Sequence, residues 1–366
     1  MTLAPHGPTT SHQTFKGQKT FGALDGLRAL SILAVLWHHT YESPTGWRAT
    51  QRGFLGVDLF FVISGFLIVT LLLRERDRKG IISLKGFYIR RILRIFPVYY
   101  GILFLLAAVF FTVGKNANMA ADFFSDLPWA VTYTSNWAGL ATFLAITWSL
   151  SAEEQFYLLW PPLERFGKRA VVPLLWLLLV ASQLVHFGVV DGWMATLGFA
   201  SHQPEFLRQT GFTPIMLGVL LAHGLHDPLW HQRLARLLHP QATGLAALVV
   251  VVGICSWAPL DLTGWPRFSL HLAMATLVGA SVVREDHLLM PALRFPPLVR
   301  IGMLSYGIYL LHMLSRHGCK AILAKIGLTE EAWLFPTTLL ATVVVAQLSF
   351  HFYESRFLKL KDRFSP

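Results

Sequence analysis

The sequence predicts an all-α protein: a polytopic transmembrane helical bundle of about ten spans, with both termini in the cytoplasm. Three observations carry that prediction. Hydrophobic residues make up 54% of the 366 residues and charged residues only 14%, with a mean hydropathy of +0.50, whereas soluble domains carry roughly a quarter charged residues. Apolar runs of helical spanning length recur along the whole chain, and about 20 such residues cross a bilayer. The basic residues are sorted between the runs: with the N-terminus inside, 22 of the 31 fall in cytoplasmic segments and 8 opposite, Arg28 lying within the first span. Lys and Arg concentrate on the cytoplasmic side of membrane proteins, so the bias sets the orientation. The host is expected to be an inner or plasma membrane.

In order, the expected spans are 23–41, 54–73, 95–113, 146–164, 170–188, 211–225, 242–258, 268–283, 299–316 and 334–352. Residues 1–20 mix Pro, Thr, Ser, His and Gly and are expected as a disordered cytoplasmic tail. They lack the apolar core and cleavage site of a signal peptide. Residues 21–355 form one transmembrane domain and 356–366 a basic cytoplasmic tail. Between spans three and four, 114–145 is rich in aromatics but broken by Pro128, which suits an interfacial or re-entrant helix on the outer face.

Ionisable residues inside these spans are the informative ones, because each costs about 2.5–3.5 kcal/mol on insertion scales unless it faces a protein-lined cavity. The first span holds Arg28, His38 and His39; the second holds Asp58; the fourth holds Glu153 and Glu154. Arg28 and His39 are eleven residues apart, three turns plus roughly 20°, so they share a face at a separation of about 16 Å. His38 points about 100° away. The alternating directions of the spans bring His39, Asp58, Glu153, Glu154 and His312 to one outer layer. His39 suits a general base, since its unperturbed pKa lies near 6.5. Asp58 or one of the adjacent glutamates is expected to orient it. Tyr157, Tyr306 and Tyr309 read as packing. Ser64 reads as bonding within its own helix. Arg90, Arg91 and Arg94 at the start of the third span form a second, cytoplasmic constellation. Guanidinium groups there hold phosphates, or anionic lipid head groups, bidentately.

Other chemistries find no pattern. The net charge of +11 comes from orientation signals rather than a basic arm with interleaved aromatics, so nucleic acid is not an expected partner. Cys255 and Cys319 read as small buried hydrophobes. No Walker or dinucleotide loop, metalloprotease helix, Cys–His set or nucleophile elbow occurs, and no metal is expected.

Taken together, the R-x10-H of the first span, GFLGVDLFFVISGFLI, RRILRIFPVYY, WSLSAEEQFYLLWP and LSYGIYLLH resemble, in the same order, the membrane-bound acyltransferase-3 family. The resemblance runs from Phe21 to about Leu311. It implies transfer of an acyl group, commonly acetyl, from cytoplasmic acyl-coenzyme A to a hydroxyl of a carbohydrate or other acceptor. It implies that His39 carries catalysis, that Arg28 belongs to the same motif, and that Arg91 and Arg94 match the family's cytoplasmic RxxR, with Arg90 beside them. The doubled His38–His39 departs from the pattern, and only His39 has the motif spacing. Some relatives carry an extra hydrolase-like domain; this chain is expected to present its own acceptor site. A rival reading is a carrier of a small anion or sugar, with Arg28 as clamp and His39 as proton relay.

The orientation has a direct test. Single cysteines placed at Thr45 and Lys115 are expected to react with an impermeant thiol reagent from outside intact cells. Labelling of Thr45→Cys only after permeabilisation would reverse the topology.

Overall fold

The computed structural model describes residues 12–18, 20–41, 46–113, 117–140, 143–197, 212–259, 262–284, 286–328 and 331–364. Thr45 and Lys115 lie outside them. Among the described residues all regular structure is helical: α1 (His12–Gly17), α2 (Gly22–Thr40), α3 (Arg48–Gln51), α4 (Gly56–Lys79), α5 (Leu84–Val113), α6 (Ala117–Val131), α7 (Thr147–Phe166), α8 (Val171–His186), α9 (Asp191–Thr196), α10 (Thr213–His226), α11 (Pro228–Leu238), α12 (Thr243–Trp257), α13 (Gly264–Val283), α14 (Met290–Leu293), α15 (Pro296–Met303), α16 (Ser305–Lys325), α17 (Glu331–Ser349) and α18 (Ser355–Asp362).

Five helices are long and apolar enough to cross a membrane unaided: Gly53–Lys79, Leu84–Thr112, Lys168–His186, Gly264–Val283 and Ala332–Leu360. The pairs α11/α12 and α15/α16, bent by 72° and 78°, raise the number to seven if each is one broken span. A helix stands at each of the ten expected positions, but α2, α7 and α10 are not among these spans. The physical reason for the first two is their cargo. Asp25 and Arg28 interrupt α2, and Glu153, Glu154, Glu164 and Arg165 interrupt α7. These side chains lower the hydropathy of α2 and α7.

α4 and α10 are the axis of the bundle, and glycine sets their distance. A Cβ on Gly65 would lie 2.2 Å from the Ile215 carbonyl oxygen, and one on Gly218 would lie 2.2 Å from that of Val62. Neither helix can tolerate a side chain at the crossing, which is how small residues act between membrane helices. Gly53 and Gly56 do the same against α2, at 2.0 Å from Ala34 O and 2.3 Å from Ser31 O. Around this axis Leu27, Ile32, Val35, Leu36, Val62, Ile63 and Phe66 are fully buried.

Both expected tails contain ordered helix. In the N-terminal one, Phe15 of α1 is buried, Lys16 pairs with Asp77, and the Arg74 guanidinium donates to the carbonyls of Phe15 and Gln18. At the other end, a π-helical turn (Phe350–Glu354) leads into α18, and Arg90 Nη1 donates to the Phe364 carbonyl at 2.8 Å. The stretch around Pro128 is the helix α6, held to α5 by hydrogen bonds from Tyr99 to Ala130 O and from Tyr100 to Val131 O.

The glycine crossing generates a stability prediction. Gly65→Ala and Gly218→Ala should each destabilise the detergent-purified protein by about 1–3 kcal/mol, the cost of overpacking a contact that backbone atoms cannot relieve. Gly192→Ala, whose Cβ would meet nothing within 4 Å, should be neutral or slightly stabilising. Thermal unfolding of the three variants side by side checks the ranking, and equal melting points would refute it.

Candidate active site

A cavity of about 160 Å³ opens between α2, α4, α5, α7 and α16. Three guanidinium groups line it: Arg28 from α2, and Arg91 and Arg94 from α5. Two of the three are neutralised. Arg28 Nη1 pairs with Asp25 Oδ1 at 3.1 Å, one turn earlier in α2. Arg91 donates to Glu154 Oε1 through Nε (3.2 Å) and Nη2 (3.0 Å), lies 3.7 Å from Glu153 Oε1, and stacks over the Tyr157 ring at 3.5 Å. Arg94 differs. It lines the cavity with its surface exposed, and no described residue forms a hydrogen bond or ion pair with it. Its planar fork of five N–H groups thus has no acceptor among the described residues. Arg90 turns away: it pairs with Glu75 at 3.4 Å and holds the C-terminal segment, outside the cavity lining. Of the basic constellation expected from the sequence, Arg28, Arg91 and Arg94 therefore meet, and Arg90 does not join them.

Hydroxyl groups line the rest of the cavity. Ser64 and Tyr157 both donate to Glu153 Oε1, so Ser64 bridges α4 to α7 instead of bonding within its own helix as expected. Tyr309 donates to Ile146 O at 2.9 Å and meets Ser149 Oγ at 2.6 Å, and Tyr306 OH reaches Ile95 O at 3.3 Å. Tyr157, Tyr306 and Tyr309, read from sequence as packing, are cavity walls. Tyr157 lies four residues from Glu153, and Tyr309 lies four from Ser305 and three from Tyr306, spacings that were visible signals of shared faces. The Asp25–Arg28 pair was visible in the same way.

Beyond Tyr309 stands a pair of imidazoles. The Tyr309 and His312 rings are 5.6 Å apart, and those of His312 and His39 are 4.8 Å apart. His39 Nδ1 lies 2.9 Å from Val35 O and 3.3 Å from His312 Nε2. His312 Nδ1 lies near Tyr309 O at 2.5 Å. Only one tautomer set satisfies all three contacts: both rings carry the proton on Nδ1, His312 Nε2 accepts, and His39 Nε2 is left as the basic nitrogen. His38 takes the opposite side of α2, donating from Nδ1 to Gln51 O at 3.2 Å and packing on Phe54.

The expected carboxylate partner of His39 is not what the geometry provides. Asp58 Oδ2 is held by Arg267 Nη2 at 3.1 Å and His271 Nε2 at 3.0 Å, both on α13. Glu153 and Glu154 are committed to Ser64, Tyr157 and Arg91. The reason is electrostatic: a buried carboxylate in a low dielectric takes the nearest cation or strong donors, and two arginines lie closer to these acids than His39 does. Of the residues expected in one layer with His39, His312 alone touches it. Among the described residues no three His, Cys, Asp or Glu side chains converge as a metal site.

Comparison with known proteins follows the same lines. An acyltransferase-domain family matches residues 21–351. Peptidoglycan O-acetyltransferase OatA of Listeria monocytogenes is 29% identical over 92% of this chain and 56% of its own length. A Staphylococcus aureus (strain COL) protein provisionally named O-acetyltransferase SACOL0978 is 28% identical over 96% of this chain and 59% of its own. Bacillus subtilis YrhL, provisionally named a peptidoglycan O-acetyltransferase, is 29% identical over 90% and 54%. The chain thus spans little more than half the length of these relatives. No solved structure matches it. With that match running from Phe21 into the last long helix, over a multi-pass helical bundle, the chain belongs to the acyltransferase-3 family of integral membrane proteins.

Proposed function

We propose that the protein is an O-acetyltransferase that takes an acyl group, acetyl in the first instance, from cytoplasmic acyl-coenzyme A and transfers it to a hydroxyl of a cell-envelope or secreted carbohydrate. The observation that carries this reading is Arg94, a guanidinium with no hydrogen-bond or ion-pair partner among the described residues, in a cavity whose far wall, Tyr309, abuts the His312–His39 pair. The reading takes ten spans with both termini cytoplasmic, which puts Arg28, Arg91 and Arg94 toward the cytoplasm and His39 toward the outer end of α2. Arg94 binds a phosphate of the donor, assisted by Arg28. The pantetheine arm then covers the roughly 16 Å along α2 to the imidazole. There His39 Nε2 removes the acceptor hydroxyl proton as that oxygen attacks the thioester carbonyl. The tetrahedral intermediate collapses, the C–S bond breaks, and the proton passes from the imidazolium to the departing thiolate. His312 is a positioning residue that holds the His39 tautomer. Arg91 ties α5 to α7, with Glu154 as its counter-ion and Glu153 as the acceptor of the Ser64 and Tyr157 hydroxyls. Asp58 anchors α4 to α13 rather than acting at the base. Acetyl transfer in the named relatives supports the acetyl donor, and peptidoglycan is the acceptor class that their names suggest.

The purified protein is expected to consume labelled acetyl-coenzyme A and release coenzyme A in step with acceptor acetylation; a carrier would move an intact solute without consuming donor. His39→Ala should lower transfer by about two to four decades, the span of general acid–base catalysis, while His38→Ala retains most activity. His312→Asn, which keeps an acceptor for the His39 Nδ1–H, should retain more activity than His312→Ala. Loss with His38→Ala and retention with His39→Ala would sink the assignment.

Donor binding is separable. Arg94→Ala should weaken coenzyme A binding by about one to two decades, the roughly 1.5–3 kcal/mol of a charge-assisted hydrogen bond. Arg90→Ala should bind like the parent. Isothermal titration of both variants decides, and equal affinities would remove Arg94 from the donor site.

A further inference from the structure

Acyl transfer needs one group that an imidazole base does not supply. Attack on a thioester carbonyl puts a negative charge on its oxygen, and a preorganised donor at that point is usually the largest single contribution to such a reaction. Depth in the bundle indicates where it must stand. Gly302, just before α16, packs on α2 so closely that a Cβ would lie 1.8 Å from the Asp25 carbonyl oxygen. Further along both helices, His312 reaches His39. α16 and α2 therefore run side by side in the same direction. Arg28 lies three turns before His39, about 16 Å along the axis, whereas Tyr309 lies one turn before His312, about 4.5 Å. A donor held by the arginines passes Tyr309 last before the imidazoles.

The hydroxyls of the cavity differ in what they are bonded to. Ser64 and Tyr157 both serve the Glu153 carboxylate, and Tyr306, further from His312, reaches the Ile95 carbonyl. Tyr309 and Ser149, both buried cavity residues, share one carbonyl. Tyr309 OH lies 2.9 Å from Ile146 O, Ser149 Oγ lies 3.3 Å from the same oxygen, and the two hydroxyl oxygens are 2.6 Å apart. Two O–H donors thus face one backbone acceptor. A hydroxyl proton rotates to suit its surroundings, so Ser149 can hold Ile146 O while the Tyr309 proton turns to another acceptor. The pair meets at the first turn of α7, whose N-terminus carries roughly half a positive charge. The Tyr309 ring is 5.6 Å from that of His312, which is 4.8 Å from that of His39. A neutral donor with a proton to spare, at a positive helix end beside the imidazole pair, matches what a nascent alkoxide requires.

We propose that Tyr309 is the oxyanion donor of the transfer, with Ser149 as the positioning residue that frees it. This rests on the acyl-transfer reading with His39 as the base. The acceptor oxygen bonds to the thioester carbon as His39 Nε2 takes its proton. The carbonyl π pair moves onto oxygen, and the Tyr309 O–H donates to that alkoxide. Ser149 meanwhile donates to Ile146 O, so the carbonyl keeps a partner. When the alkoxide pair re-forms the C=O bond, the C–S bond breaks and the thiolate takes the proton from the His39 imidazolium. Tyr309 then turns back to Ile146 O. It keeps its own proton throughout and forms no covalent bond.

The test uses the full chain in detergent with acetyl-coenzyme A, coenzyme A and a trifluoromethyl ketone analogue of acetyl-coenzyme A, whose carbonyl hydrates to a tetrahedral centre. The parent is expected to bind the ketone about 10²-fold or more tighter than coenzyme A, as analogues of a transition state do. Tyr309→Phe, which keeps a ring against His312, should lower kcat about 10²–10³-fold, the usual loss for one oxyanion donor. It should leave KM, coenzyme A affinity and Tm unchanged and abolish the preference for the ketone. Ser149→Ala should lose part of that preference, and adding it to Tyr309→Phe should cost little more. A Tyr309→Phe variant that transfers acetyl as fast as the parent, or that keeps the ketone preference, would overturn the proposal and leave the acyl-transfer reading standing. An equal loss of ketone and coenzyme A binding would do the same, by making Tyr309 a wall of the donor site alone. A parent that transfers no acetyl would instead end the acyl-transfer reading, and this proposal with it.

Discussion

Arg91 lies among Glu154, Glu153 and the face of Tyr157, inside a bundle whose outer surface is apolar. Removing an ion from water costs several kcal/mol even after relaxation, and only close opposite charge with good hydrogen bonds offsets it. Arg91 is the point where α5 and α7 meet that requirement together, and Ser64 brings α4 to the same carboxylates. The cavity exists because this knot holds three helices at a fixed separation. With Glu154 committed to Arg91 and Asp25 to Arg28, Arg94 is the cavity arginine left without a hydrogen bond or ion pair to any described residue.

A second constraint is steric. Gly65 adjoins Ser64, so the residue that lets α10 approach α4 on one side lies next to the one that hydrogen-bonds α7 on the other. Gly53 and Gly56 bring the start of α4 against α2, and this approach turns His38 toward α3 and leaves His39 to His312. The position of the imidazole pair is in that sense a consequence of backbone contacts between small residues.

α2 consequently has two contrasting faces. One carries Arg28 and His39 and borders the polar cavity; the other carries Leu30, Ala34 and Trp37, which line an apolar cavity with α12 and α13. Both end at the same turn, where His38 and His39 are consecutive residues bonded to different helices.

By itself the sequence determined where helices form, the shared face of Arg28 and His39, and the different direction of His38. These follow from the 3.6-residue period and from side-chain hydropathy, properties local to one helix. It also identified the family, through long motifs in a set order. Only the tertiary structure decided the partners. Asp58 is held from α13, 209 residues away at Arg267 and 213 at His271, His39 meets His312 across 273 residues, and Arg90 leaves the arginine cluster for Phe364. Such choices depend on which cation, carbonyl or ring arrives first from another helix. That competition is settled by packing in three dimensions, and no spacing within one helix encodes it.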